Sequence, residues 1–253
     1  MTDQVTKAGA FKALHVPGNP VVLFNVWDAG SAKAVAAGGA KALATGSWSV
    51  AAAHGFEDGE YMPFDLALAN LERIVAASDL PVTIDLESGY GTTPEEVGAT
   101  IARTVQAGAI GFNIEDGVRE AALRETSEQA ARLGAVRDAA DRLGVPAFVN
   151  ARTDVFLIAA SDQHESLLAG ALERSRAYAD AGADGFFVPG LADERLIARV
   201  VEGSPLPVNI MANAKTPPAV RLAELGVSRI SHGPGPYRMA MKALEDAARA
   251  ALL

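Results

Sequence analysis

The sequence predicts one (β/α)8 (TIM) barrel domain spanning residues 1–253. Three observations carry that expectation. Eight short β-rich runs alternate with alanine-rich amphipathic segments along 253 residues, which matches the length and rhythm of such barrels. Glycine or proline stands just before most of the runs. Polar and charged residues collect just after them, although the runs themselves are nearly all apolar.

The runs cover residues 21–25, 42–45, 82–85, 111–115, 147–151, 185–188, 208–211 and 228–231. Four are entered through Gly38-Gly39, Gly108, Gly182 or Gly226, where glycine suits the left-handed end of a helix. Three are entered through Pro81, Pro146 or Pro207, and proline is tolerated at a strand's first residue. Helical spacing covers residues 67–78, 94–107, 127–143, 167–181, 194–202 and 217–225. Thr93 before Pro94 reads as a cap and first turn. Thr126-Ser127-Glu128-Gln129 reads as a capping box. The last segment, 236–253, carries Met239, Met241 and Leu244 and reads as an amphipathic helix closing the barrel. A doubly wound open sheet is the competing fold, but no GxGxxG follows the first run.

Composition narrows the function. The net charge of −9 argues against a general nucleic-acid surface, which needs a basic face. No apolar run approaches the ~18 residues of a membrane span. Met1-Thr2-Asp3-Gln4 lacks a basic region followed by an apolar one, so no secretory signal is expected. The chain has no cysteine, which excludes disulfides, thiolate metal sites and cysteine nucleophiles. Together these features lead to the expectation of a cytoplasmic protein with a small-molecule ligand.

In a barrel the chemistry sits at the C-terminal strand ends. Those ends carry Asn25 with Asp28, Ser47-Trp48-Ser49, Asp85 with Glu87, Asn113 with Glu115 and Asp116, and Asn150 with Arg152 and Asp154. Pro189-Gly190, Asn209 with Asn213, and His232 follow. Asp85 and Glu87 lie two apart and point to one side of an extended backbone. Such a pair repels unless a positive group lies between them. With Glu115 from the next strand they make an oxygen-rich site for Mg2+, or Mn2+. The competing reading is a salt-bridge cluster neutralised by Arg152. That arginine's planar fork also suits a substrate carboxylate. The backbone after Gly46 offers N–H groups to an oxyanion. Asp58 precedes a glycine, as turn aspartates commonly do. His232 is either a general acid/base or a satisfied rim histidine, and Gly233-Pro234-Gly235 could hold a phosphate. His15, His54 and His164 read as surface or loop residues.

The ordered motifs resemble the isocitrate lyase/phosphoenolpyruvate mutase superfamily, over nearly the whole chain. They are Ser47-Trp48, Asp58, Asp85-Leu86-Glu87-Ser88-Gly89-Tyr90-Gly91, Asn113-Ile114-Glu115-Asp116 and Asn150-Ala151-Arg152-Thr153-Asp154. The resemblance implies magnesium, a 2-oxo acid or its enolate, and cleavage or formation of a C–C or P–C bond beside that enolate. It implies Asp85, Glu87 and Glu115 as the metal shell, with Asp58 beside metal and substrate. Ser47 and Trp48 amides would hold the oxo acid, and Arg152 its carboxylate. Asn209 and His232 complete the expected substrate-binding and catalytic set. It also implies a homodimer or homotetramer, with the C-terminal helix packing on or swapping with a neighbouring subunit.

Two departures matter. Isocitrate and methylisocitrate lyases carry a Lys-x-Cys-Gly-His loop after the acidic motif. Here that region reads Gly117-Val118-Arg119-Glu120-Ala121-Ala122-Leu123-Arg124-Glu125-Thr126, with no thiol. Position 189 is proline, where those lyases place a glutamate. The expectation is therefore a lyase or decarboxylase for an oxaloacetate-type substrate. A phosphonopyruvate hydrolase or mutase, a phosphate-binding aldolase or epimerase, and a non-catalytic 2-oxo acid binding barrel are the alternatives. Arg119 and Arg124 are either anion contacts or solvated residues.

Overall fold

Short apolar runs bounded by glycine and proline become strands buried on both faces. The computed structural model describes residues 2–118 and 122–252. The strands are β1 (Val21–Leu23), β2 (Leu43–Ala44), β3 (Val82–Asp85), β4 (Gly111–Glu115), β5 (Gly117–Val118), β6 (Ala122–Leu123), β7 (Phe148–Arg152), β8 (Gly185–Phe187), β9 (Val208–Met211) and β10 (Arg229–Ser231). Eight of them form one parallel sheet in the order β1-β10-β9-β8-β7-β4-β3-β2. A parallel bridge between Val26 and Thr45 brings the outer edges together, and Val26 N–H donates to the Ala44 carbonyl at 2.8 Å. The eight expected runs are these eight strands, and the barrel follows. β5 and β6 form a separate antiparallel hairpin in the region read from sequence as an irregular loop. Arg119 lies outside the described residues.

Register decides which side chains meet inside. Asp85 is level with Asn113, Asn113 with Asn150, and Glu115 with Arg152. Because side chains alternate, all five face the barrel interior. Arg229 is level with Asn209.

The helices are α1 (Thr2–Ala13), α2 (Ala29–Ala37), α3 (Ser47–Ala53), α4 (Phe64–Ala76), α5 (Pro94–Gln106), α6 (Thr126–Arg142), α7 (Val155–Ile158), α8 (His164–Asp180), α9 (Glu194–Gly203), α10 (Ala219–Glu224) and α11 (Gly235–Leu252). Thr93 caps α5 as expected, with Glu96 closing the capping box. The box expected at Thr126 does not form. α6 starts one residue earlier than required, at Thr126, and Glu125 sits at the cap without a side-chain bond. Asp28 is the N-cap of α2, paired with Ser31, and so serves helix geometry, not the rim. Gly108 adopts φ +103°, and a Cβ there would come 2.8 Å from Val75 Cγ1. A side chain would be excluded at that helix-to-strand turn.

α1 was not visible as a helix in sequence. It packs under the barrel, where Phe11 is fully buried and meets Phe148 edge-on at 5.7 Å. His15 stacks on Phe148 at 3.9 Å. Burial and the nearby Arg229 hold its imidazole down at about 3. His15 and His164 are buried and are structural, which corrects the surface reading. α11 also departs from expectation. It is amphipathic, but beyond Pro236 none of its described residues is buried; Met239, Leu244 and Leu252 are exposed. It does not close its own barrel. No helix among the described residues is long and apolar enough to cross a membrane.

Candidate active site

The strand ends and βα loops enclose a cavity of about 210 Å3 over the barrel axis. It is lined by Asn25, Gly46, Ser47, Trp48, Asp58, Asp85, Asn113, Arg152, Leu157, Phe187, Pro189, Met211, Ser231, Gly233 and Pro234. A wider outer cleft adjoins it, lined in part by Asp58, Glu87, Tyr90, Glu115 and Arg124.

Arg152 organises the charge. Its Nε and Nη2 donate to Asp154 Oδ1 and Oδ2 at 2.6 and 3.0 Å. Nη1 lies 2.6 Å from Glu115 Oε2 and 3.9 Å from Asp85 Oδ2. Burial opposes the charge on Arg152, but Glu115, Asp154 and Asp85 outweigh it and keep the guanidinium firmly protonated. Asp154 is itself placed by Asp116, whose fully buried carboxylate accepts from Asp154 N–H, Tyr178 Oη and Arg174 Nη1. Gly117 lets the β5–β6 hairpin approach Asp154, since a Cβ there would collide with Asp154 Oδ2. Sequence reasoning placed Asp116 among the rim acids. It missed Tyr178 and Arg174, which lie on a distant helix with no motif.

Ser47 begins α3, with Gly46 at its cap. The small-residue turn read from sequence is the first turn of this helix, where N–H groups lack intrahelical partners. Ser47 N–H and Oγ donate to Asp85 Oδ2 at 3.4 and 3.3 Å. The Trp48 ring is flanked by Tyr237 at 5.9 Å and by the Arg238 guanidinium at 4.6 Å, so the start of α11 shapes the mouth, a role no sequence signal marked.

Glu87 behaves differently from its motif neighbours. It takes φ +53° and is buried. Its Oε2 accepts from Gly59 and Glu60 N–H, both at 2.6 Å, and Tyr90 Oη donates to Oε1 at 3.2 Å. Burial, then the Asp58 and Asp85 charges, raise its carboxyl to about 7. Desolvation in the mouth and the charge on Asp85 raise Asp58, against a Ser47 hydrogen bond. Burial raises Glu115 well above the carboxylate range despite Arg152, with Asp154, Asp85 and Glu87 adding to the shift.

Among the described residues no three His, Cys, Asp or Glu side chains converge as a ready ligand set. The donors nevertheless fit a hard divalent cation in kind and charge. All are carboxylates, their charges push one another's pKa up, and Glu115 Oε2 is buried without hydrogen-bond alignment to any partner.

The remaining expected residues sit apart. Asn209 is buried below the cavity, bonded to Ser231. The His232 ring leans on Phe24 at 5.0 Å and does not line the cavity; burial lowers its pKa. Gly233 N–H donates to Asn25 Oδ1 and Gly235 N–H to the His232 carbonyl, so neither amide is open to a phosphate. Arg229 went unnoticed in sequence. It lies inside the barrel, donates to Asn113 Oδ1 at 3.2 Å, and burial lowers it to about 9 against the pull of Asp85.

A parallel eight-stranded barrel whose mouth gathers carboxylates around one arginine defines an α/β-barrel protein with its charged groups at the strand ends. The phosphoenolpyruvate phosphomutase family model matches residues 11–252, and the chain belongs to the isocitrate lyase/phosphoenolpyruvate mutase superfamily, whose members include lyases, mutases and a hydrolase. A crystal structure from Burkholderia cenocepacia J2315, described provisionally as a phosphonomutase, is 57% identical with TM-score 0.96, covering 98% of this chain and 99% of that one. An uncharacterised Mycobacterium tuberculosis protein is 35% identical over 95% of this chain and 88% of its own length. Oxaloacetate decarboxylase of Pseudomonas syringae pv. tomato is 31% identical over 70% of this chain and 61% of its own. A phosphonopyruvate hydrolase solved with oxalate and Mg++ shares the fold, with TM-score 0.83 and 21% identity over 96% of this chain and 84% of that one.

Proposed function

We propose that this protein is a magnesium-dependent carbon–carbon lyase or decarboxylase for a small 2-oxo acid of the oxaloacetate type. One observation carries the choice of bond. Apart from Arg152, no cationic side chain lines the inner cavity among the described residues, and Trp48, Leu157, Phe187, Pro189 and Met211 form an apolar wall. A departing group that becomes neutral carbon dioxide suits that wall. A phosphonate with two negative charges would find no donor on that wall but the Trp48 indole N–H.

Asp85 and Glu115, with Asp58 beside them, would hold the cation; Glu87 would join only by releasing the Gly59 and Glu60 amides. When bound, the ion would polarise the 2-oxo group and stabilise an enolate. Asp154 fixes the Arg152 fork, and its Nη1 edge would take the substrate carboxylate in exchange for its contact with Glu115. The Ser47 and Trp48 amides hold the oxo acid from the opposite side. As the C3–C4 bond breaks, its electron pair enters the enolate and carbon dioxide leaves. Asp58, protonated by virtue of its raised pKa, donates its proton to C3 and gives pyruvate, and regains a proton from solvent.

The test is pyruvate release from oxaloacetate with Mg2+ and with EDTA. Turnover should require the metal and fall at least a hundredfold in Glu115→Gln; unchanged turnover in that variant would defeat the assignment. A P–C bond reaction is the second reading, favoured by the family model and by the 57% identical structure.

The Mg2+ (or Mn2+) requirement, a cytoplasmic location and a homodimeric or homotetrameric state belong to the same proposal. Support for the last is the exposed apolar side of α11 together with an apolar groove of about 690 Å3, lined by Leu14, Val16, Val22, Phe24 and Val35. A neighbour's α11 would fit there.

A further inference from the structure

Three residues other than glycine adopt positive φ among the described residues: Glu60 at +61°, Glu87 at +53° and Tyr90 at +50°. All three meet in one knot at the mouth. Glu87 Oε2 accepts the Gly59 and Glu60 amides from the facing loop. In return Glu60 Oε1 accepts Ser88 Oγ and Tyr90 N–H, both at 2.8 Å. Tyr90 Oη donates to Glu87 Oε1. Beneath the knot, Arg132 donates to the Ser88 and Gly91 carbonyls at 2.7 Å and to Thr92 at 3.2 Å. Left-handed backbone is unfavourable for side chains of this size and persists only where the surroundings over-determine it. Here Glu87 accepts two amides of the opposite loop and Glu60 accepts one amide and one hydroxyl, so neither loop can relax alone.

We propose that Glu60 is a positioning residue, and that the reciprocal Glu60–Glu87 clasp sets Asp58 at the mouth. Asp58 is the residue directly before the Gly59 and Glu60 amides that Glu87 grips. A shift of those amides moves the Asp58 carboxyl away from Asp85 and Ser47. The placement of Asp58 as a proton donor rests on the function proposed above; the clasp itself does not.

The test compares Glu60→Gln, which keeps the Oε1 acceptor, with Glu60→Gly, which accepts the left-handed backbone but removes the side chain. With oxaloacetate and Mg2+, Glu60→Gln should keep kcat within about twofold. Glu60→Gly should lose at least tenfold in kcat, with KM within about threefold and an unaltered circular-dichroism spectrum. Combining Glu60→Gly with Asp58→Asn should cost no more than Asp58→Asn alone. Amide hydrogen exchange reads the clasp without turnover: the Gly59 and Glu60 amides should exchange at least tenfold faster in Glu60→Gly than in the wild type or Glu60→Gln. Unchanged exchange would overturn the clasp. Full kcat in Glu60→Gly, or multiplying losses in the double variant, would overturn its action through Asp58. Faster exchange in Glu60→Gly, alongside a wild-type protein that turns over no 2-oxo acid, would uphold the clasp and defeat only the functional reading.

Discussion

Replacing Glu87 with Gln should flatten part of the protein's pH–stability profile. The Glu87 carboxyl is raised from 4.5 to about 7 by burial and by Asp58 and Asp85. The native state therefore binds this proton more tightly than the unfolded chain does. Its stabilising contribution is complete below about pH 4.5, falls as pH rises toward 7, and is absent above that. At about 1.4 kcal/mol per pH unit, the gap corresponds to about 3 kcal/mol. Glutamine keeps an oxygen for the Gly59 and Glu60 amides but has no charge to bury. Urea unfolding in EDTA at fixed protomer concentration, at pH 5 and pH 8, measures the effect. Glu87→Gln should gain about 2.5 kcal/mol on the wild type between the two pH values, since part of the contribution is already lost at pH 5. Removing the charge also eases Glu115, which works in the same direction. Parallel profiles for the two proteins would refute the assignment of Glu87 as a buried, crowded carboxylate.

Arg132→Met removes three hydrogen bonds to the acidic loop and should destabilise by about 3 kcal/mol in urea unfolding. Gly117→Ala forces a Cβ into Asp154 Oδ2 and should cut kcat/KM at least tenfold through displacement of Arg152, with a smaller effect on thermal stability. Leu244→Asp on the exposed side of α11 should shift sedimentation toward monomer; an unchanged distribution would remove α11 from the interface.

The barrel was legible because its strands are buried on both faces and need continuous apolar runs, such as Gly185 through Val188. The acidic end of β3 was legible because Asp85 and Glu87 interrupt that apolarity. What escaped reading depended on geometry without composition. α3 has seven residues and a glycine cap with no side-chain bond, so Ser47 and Trp48 looked like a turn. The inward–outward alternation assumed for Glu87 fails because the chain turns left-handed at that residue and sends its carboxylate to the 58–60 loop. Arg152 has the neutralising contacts with Glu115 and Asp85 that the competing reading required, and Asp154 supplies the orientation that substrate binding requires. α11 carries an amphipathic pattern, but the pattern alone cannot say which barrel its apolar side meets.

The choice between C–C and P–C chemistry is open to one direct competition. Purified protein with Mg2+ is given oxaloacetate and phosphonopyruvate together, and carbon dioxide, inorganic phosphate and phosphoenolpyruvate are followed in the same vessel. The expected result is metal-dependent carbon dioxide and pyruvate formation from oxaloacetate, with phosphonopyruvate left intact. Release of phosphate or formation of phosphoenolpyruvate, with oxaloacetate no faster than its metal-catalysed background, would contradict the reading of the apolar wall.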